Sequence, residues 1–69
     1  MSERRRLLTT KELSDRIGIS TRVIQRYRAE GLLVPELETP RGHARWDEDD
    51  VRRQLRELAA QRRREQQEG

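Results

Sequence analysis

Thr21, Arg22, Gln25 and Arg26 are the side chains of this sequence best suited to reading a nucleobase edge. A guanidinium can bond guanine O6 and N7 together, a carboxamide can bond adenine N6 and N7, and a threonine methyl can touch that of thymine. At about 100° per residue, Arg22 and Gln25 fall on one side of a helix and Val23, Ile24 and Tyr27 on the other. Thr21 and Arg26 lie on the flanks. A helix with an apolar back and such a front suits a DNA major groove. Taken alone, the same residues would equally decorate the solvated face of an ordinary small helical protein. The rest of the chain decides between the two.

Other chemistries have little to work with. The sequence has no cysteine, which excludes a disulfide framework and a thiolate metal site. Its single histidine, His43, has no partners for a metal site, and no nucleophile or carboxylate is placed around it for catalysis. There is no Gly-rich phosphate loop. No enzyme activity and no cofactor are expected. With 69 residues, 30% hydrophobic and 42% charged, the chain allows one domain with a thin core and no enclosed ligand cavity. The formal net charge is +3. The basic residues are almost all Arg, which suits forked phosphate and base-edge contacts, although a GC-rich coding bias would produce the same preference. No apolar run approaches the roughly 20 residues of a membrane span, and the start lacks a signal-peptide core. A cytoplasmic, soluble, nucleoid-associated protein is expected.

The elements that must position the reading residues follow from capping signals. Thr9-Thr10-Lys11-Glu12 has the spacing of a capping box, and Leu8 and Leu13 form a hydrophobic staple. A short helix is expected over Thr10 to Ile17, stopped by Gly18. Ser20 caps a second helix, with Ile19 and Ile24 as its staple, running to about Glu30 and ended by Gly31. Two short helices joined through Gly18-Ile19-Ser20 must cross steeply, which is helix-turn-helix geometry. Pro35 ends the apolar run Leu32-Leu33-Val34. Glu36-Leu37-Glu38-Thr39 and His43-Ala44-Arg45-Trp46 alternate around the turn Pro40-Arg41-Gly42, predicting a two-stranded hairpin. Leu37, Ala44 and Trp46 are expected inward, and His43 and Arg45 outward. A third helix starts at the N-cap Asp47, with Trp46 and Val51 as staple and Glu48, Asp49 and Asp50 at its positive end. Val51, Leu55, Leu58 and Ala59 form its core stripe.

The fold class expected is therefore mainly α with a small β-hairpin, a winged helix-turn-helix. The domain limits are a disordered basic arm at 1–6, with Arg4, Arg5 and Arg6 able to follow phosphates, the domain proper at 7–60, and a charged, fraying helical extension at 61–69. That extension lacks the heptad seam of a coiled-coil dimer.

In this order the residues look familiar. Leu7-Leu8-Thr9-Thr10-Lys11-Glu12-Leu13, the stretch from Val23 through Ala29-Glu30-Gly31-Leu32-Leu33, and Gly42-His43-Ala44-Arg45-Trp46-Asp47-Glu48-Asp49-Asp50-Val51 resemble MerR-type winged helix-turn-helix domains. The likeness is nearest to small BldC-like regulators and phage excisionases of that fold. The resemblance implies that Thr21, Arg22, Gln25 and Arg26 contact bases. It places Ser20, Tyr27 and Arg28, with the wing residues Arg41, His43 and Arg45, at the DNA backbone or minor groove. Two positions depart from the pattern. Arg41-Gly42 stands where many relatives have Gly-Gly, and Ala44 where many have a basic residue that holds a phosphate; Arg41 or Arg45 can take over that contact.

The leading expectation is a double-stranded DNA-binding transcriptional regulator without an effector domain, binding no small-molecule effector and no membrane. Head-to-tail self-association on DNA repeats fits a domain with no dimer seam. One alternative is an excision factor that bends attachment-site DNA and partners an integrase. Another is a protein-interaction adaptor or antirepressor using the tail from Gln61.

Overall fold

The computed structural model describes residues 6–68, and of residues 67 and 68 only the backbone. Arg4 and Arg5 of the expected basic arm lie outside the described residues. The element order is α1 (Thr10–Ile17), α2 (Thr21–Ala29), β1 (Leu37–Glu38), β2 (Ala44–Arg45) and α3 (Glu48–Glu68). The fold is mainly helical with one antiparallel two-stranded hairpin, consistent with a small winged helix-turn-helix.

Local chemistry sets each boundary. The Thr9 hydroxyl accepts the Glu12 N–H at 3.1 Å, and the Glu12 carboxylate accepts the Thr9 N–H at 2.9 Å. These reciprocal bonds complete the capping box and satisfy two donors that a bare helix start would strand. Gly18 ends α1 at φ 76, a left-handed conformation that costs glycine nothing. The end of α2 is a Schellman motif: Leu32 N–H donates to the Tyr27 carbonyl at 2.8 Å, and Gly31 N–H to the Arg28 carbonyl at 3.1 Å. At α3, one carboxylate oxygen of the buried Asp47 accepts from the N–H groups of Asp49 at 3.0 Å and Asp50 at 3.3 Å.

Among the described residues, seven buried apolar side chains make the core: Leu8, Leu13, Ile24, Leu33, Ala44, Trp46 and Val51. The three helices, β2 and the segments around them contribute one or two each to this core, and β1 contributes none. Trp46, fully buried, is its centre, and its indole N–H donates to the Thr10 hydroxyl at 3.0 Å. Leu8 and Trp46 also exchange backbone hydrogen bonds, at 2.8 and 2.9 Å, in an antiparallel bridge. The segment before α1 is thereby tied to the chain that follows the wing. From the α3 side, Gln54 grips both backbone groups of Val34 at 2.9 Å, which anchors the connection between α2 and the wing.

Three expectations are corrected. Leu37 does not face inward: it is 45% exposed, and Ala44 is buried on the opposite face. In the observed register Leu37 opposes Arg45 and Glu38 opposes Ala44. Directly opposed residues share a face, so Glu38, not Leu37, lies on the side of Ala44. The wing strands are two residues each, and Trp46 lies beyond them in its bridge with Leu8. On α3, Val51 is buried and Leu55 and Leu58 half-buried, but Ala59 is exposed. A methyl side chain at the edge of the stripe is too short to reach the core. The helix itself continues to Glu68, with residues 61–66 all exposed.

Candidate nucleic-acid interface

The second helix presents its polar face outward as the periodicity requires. Ile24 is fully buried, and Val23 and Tyr27 are half-buried. Opposite them Arg22, Gln25 and Arg26 are exposed, while Thr21 is half-buried at the flank. Arg26 lies over the Tyr27 ring, 5.8 Å from its centroid, within cation–π range. Tyr27 packs against the core, so Arg26 stands on a fixed aromatic surface. The Ser20 hydroxyl accepts the Val23 N–H at 3.3 Å, capping the helix at the end that carries Thr21 and Arg22.

Beside this helix stands the wing. Its tip, residues 39–43, is closed by three bonds. Thr39 N–H donates to the His43 carbonyl at 2.8 Å, Gly42 N–H to the Thr39 carbonyl at 2.9 Å, and His43 N–H to the Thr39 hydroxyl at 3.1 Å. Gly42 adopts φ 87, where a side chain would be strained. Arg41 and His43 are exposed at this tip. Arg45 is half-buried at the base of the wing, and its guanidinium donates to the Ala44 carbonyl at 3.1 Å.

Arg28 has the most constrained place among the expected backbone contacts. Its Nε and Nη2 both donate to one oxygen of the Glu38 carboxylate, at 3.1 and 2.8 Å, and Nη2 also reaches the Gly42 carbonyl at 3.3 Å. The guanidinium is thus spent largely on the wing. The expected hairpin, with Leu37 on the inward face, does not bring Glu38 to Arg28; the observed register does. A carboxylate one residue from a basic wing tip is the available signal.

The charge distribution favours an anionic partner on this side. Residues 21–29 and 39–46 contain five arginines and no carboxylate. Glu30, Glu36 and Glu38 lie between these two stretches, and further acidic groups gather around α1 and along α3, where arginines meet several of them. Glu48 binds Arg52 through two nitrogens and also accepts from Arg16, at 2.9–3.0 Å. These hydrogen bonds, Arg52 first and then Arg16, hold the Glu48 carboxyl below its ordinary range. The Thr9 N–H does the same for Glu12, aided by the nearby charges of Arg6 and Arg45. Among the described residues, no group of His, Cys, Asp and Glu is placed to hold a metal ion. No helix there is long and apolar enough to cross a membrane.

The family model described as MerR HTH family regulatory protein matches residues 8–64. No curated protein and no solved structure matches the chain.

Proposed function

The chain belongs to the MerR helix-turn-helix family of regulatory proteins, and from that premise we propose a sequence-specific regulator whose α2 lies in the DNA major groove. The observation that carries this reading is the face of Arg22, Gln25 and Arg26, exposed on a capped helix and free of carboxylates. An α-helix with its side chains is about 10–12 Å across, matching a major groove about 12 Å wide. Nine residues extend roughly 13 Å, so α2 can follow a few base pairs before the groove curves away. Arg22 and Gln25, near the N-terminal end, face the base edges, with Thr21 and Arg26 beside them. Ser20, Tyr27, Arg41, His43 and Arg45 lie along the backbone or adjacent minor groove, and they position rather than specify.

The described domain has no coiled-coil seam, and the reading nearest to it is a small BldC-like regulator that binds direct repeats head to tail. The protein would then work in the cytoplasm on the nucleoid. The excision-factor role, with an integrase as partner, and the adaptor role are both less well supported, because the matched family is one of regulatory proteins.

Selection from random duplexes tests the reading directly. A defined motif is expected. Its affinity should fall with salt along a log–log slope of about −4 to −5 if roughly five phosphates are contacted. Recovery of no motif, together with salt-insensitive binding, would favour the adaptor. Comparing one repeat with two in tandem checks head-to-tail association, for which the second site should bind more tightly than the first.

A further inference from the structure

We propose that Arg28 is a positioning residue: by clamping Glu38 and the Gly42 carbonyl it sets the angle of the wing against the reading helix, and so fixes which phosphates the wing reaches. This rests on the DNA-binding reading above.

The argument begins with how little else holds the wing tip. Strands of two residues cannot maintain a ribbon by themselves. The base of the wing is anchored, since Ala44 and Trp46 are buried in the core. The tip is closed on itself by the bonds between Thr39, Gly42 and His43, which define its shape but not its direction. Among the described residues, the hydrogen bonds joining α2 to the wing all come from Arg28. One guanidinium touches both sides of the ribbon, the Glu38 carboxylate on β1 and the Gly42 carbonyl at the tip. Two contacts on opposite sides of a hinge restrain its angle, where a single contact would allow a swing about it.

Register places the partners. Glu38 opposes Ala44, so its carboxylate is on the wing face that turns toward the helices. Arg28 sits on the flank of α2, one turn beyond Ile24 and off the face of Arg22 and Gln25. The clamp therefore lies between the two DNA-facing surfaces. Its side chains are 28% and 52% exposed, and an ion pair so solvated adds little to stability. Its consequence is orientation. Arg41 and His43, the immediate neighbours of the bonded Gly42, move with the tip. A rotation of the wing would carry both off the phosphate register that α2 sets.

The alternative role for Arg28 is a direct phosphate contact that Glu38 competes for, and the two roles have opposite signs. Glu38→Gln removes a negative charge. If Glu38 were a competitor, the variant would bind DNA more tightly, with a salt slope steeper by about one. If Arg28 positions the wing, the variant binds its selected duplex more weakly, by roughly five- to tenfold. It also loses backbone protection only at the wing's part of the footprint, while the base contacts of α2 persist. Arg28→Lys keeps the charge and loses the fork, and should behave as Glu38→Gln does.

A measurement on the free protein separates this from DNA binding as such. In wild type, residual dipolar couplings of amides 37–45 should fit the alignment frame of the helices. In Glu38→Gln and Arg28→Lys they should depart from it, with the thermal midpoint almost unchanged. Couplings that fit one frame in every variant would overturn the proposal. So would affinities and footprints indistinguishable from wild type on the duplex the selection returns. A wild type whose wing is clamped as described but which binds no duplex would overturn the DNA-binding reading itself, and the proposed positioning of phosphate contacts with it.

Discussion

At the scale of single residues, the distinction that matters is between side chains that can choose a base and those that hold a position. Arg22 and Gln25 are exposed on the face opposite Ile24. Arg22→Ala should cost roughly 1–3 kcal/mol on the selected duplex and relax preference at one base position. Arg41→Ala, at the wing tip, should weaken all sequences alike and make the salt slope shallower by about one. Competition binding against single-base variants separates the two. An identical, sequence-blind loss for both would mean that α2 holds only phosphates. Periodicity alone made this face legible, because Val23, Ile24 and Tyr27 leave it one direction to point. It could not show what Arg28 does. That depends on Glu38, and the side on which Glu38 lies is decided by a register that two alternating tetrapeptides leave open by one residue. The stacking of Arg26 on Tyr27 was equally hidden, since neighbouring helix positions give no sign of which rotamers meet.

At the scale of elements, the helix starts are where local chemistry does most to fix the fold, and they were the most legible features of the chain. Thr9, Ser20 and Asp47 each carry an oxygen that accepts from its own helix, as the cap spacings required. Thr9→Ala removes one side of the capping box and should destabilise by about 1 kcal/mol, lowering the thermal midpoint by roughly 4–8 °C in a domain of this size. Acid should act on the same device. The carboxyls of Glu12 and Glu48 are held below their ordinary range in the folded state. The unfolded chain therefore binds protons more readily, so their contribution is fully present above the ordinary carboxylate range. It fades as pH falls through that range to the lower folded values. Melting curves of wild type and a Glu12→Gln, Glu48→Gln double variant should differ at neutral pH and converge in acid, as pH falls through those lowered folded values. A gap that persists in acid would mean that these carboxylates stabilise in some way other than by charge. The elements less easily read are those held from far away. The Leu8–Trp46 bridge and the Gln54 grip on Val34 join segments 38 and 20 residues apart, and no local pattern announces either.

At the scale of the whole molecule, a small core supports a long, unaccompanied helix. The radius of gyration is 13.5 Å, whereas a compact chain of this length would have about 11 Å. α3 adds to the difference, continuing past its last half-buried residue, Ala60, through positions 61–66 that are all exposed. Residues 63–69 hold two arginines and two glutamates, so removing them leaves the net charge as it was. Residues 63–66 are exposed, and loss of the segment should move stability by no more than about 0.5 kcal/mol. The informative quantity is the salt slope. If DNA is held by α2 and the wing alone, a chain ending at Arg62 should bind the selected duplex with the wild-type slope and affinity. A slope shallower by about two would place Arg63 and Arg64 on phosphates, and the basic footprint would then run from the reading helix onto the tail. An unchanged slope on one repeat with lost tightening on two would instead make the extension the contact between neighbouring copies.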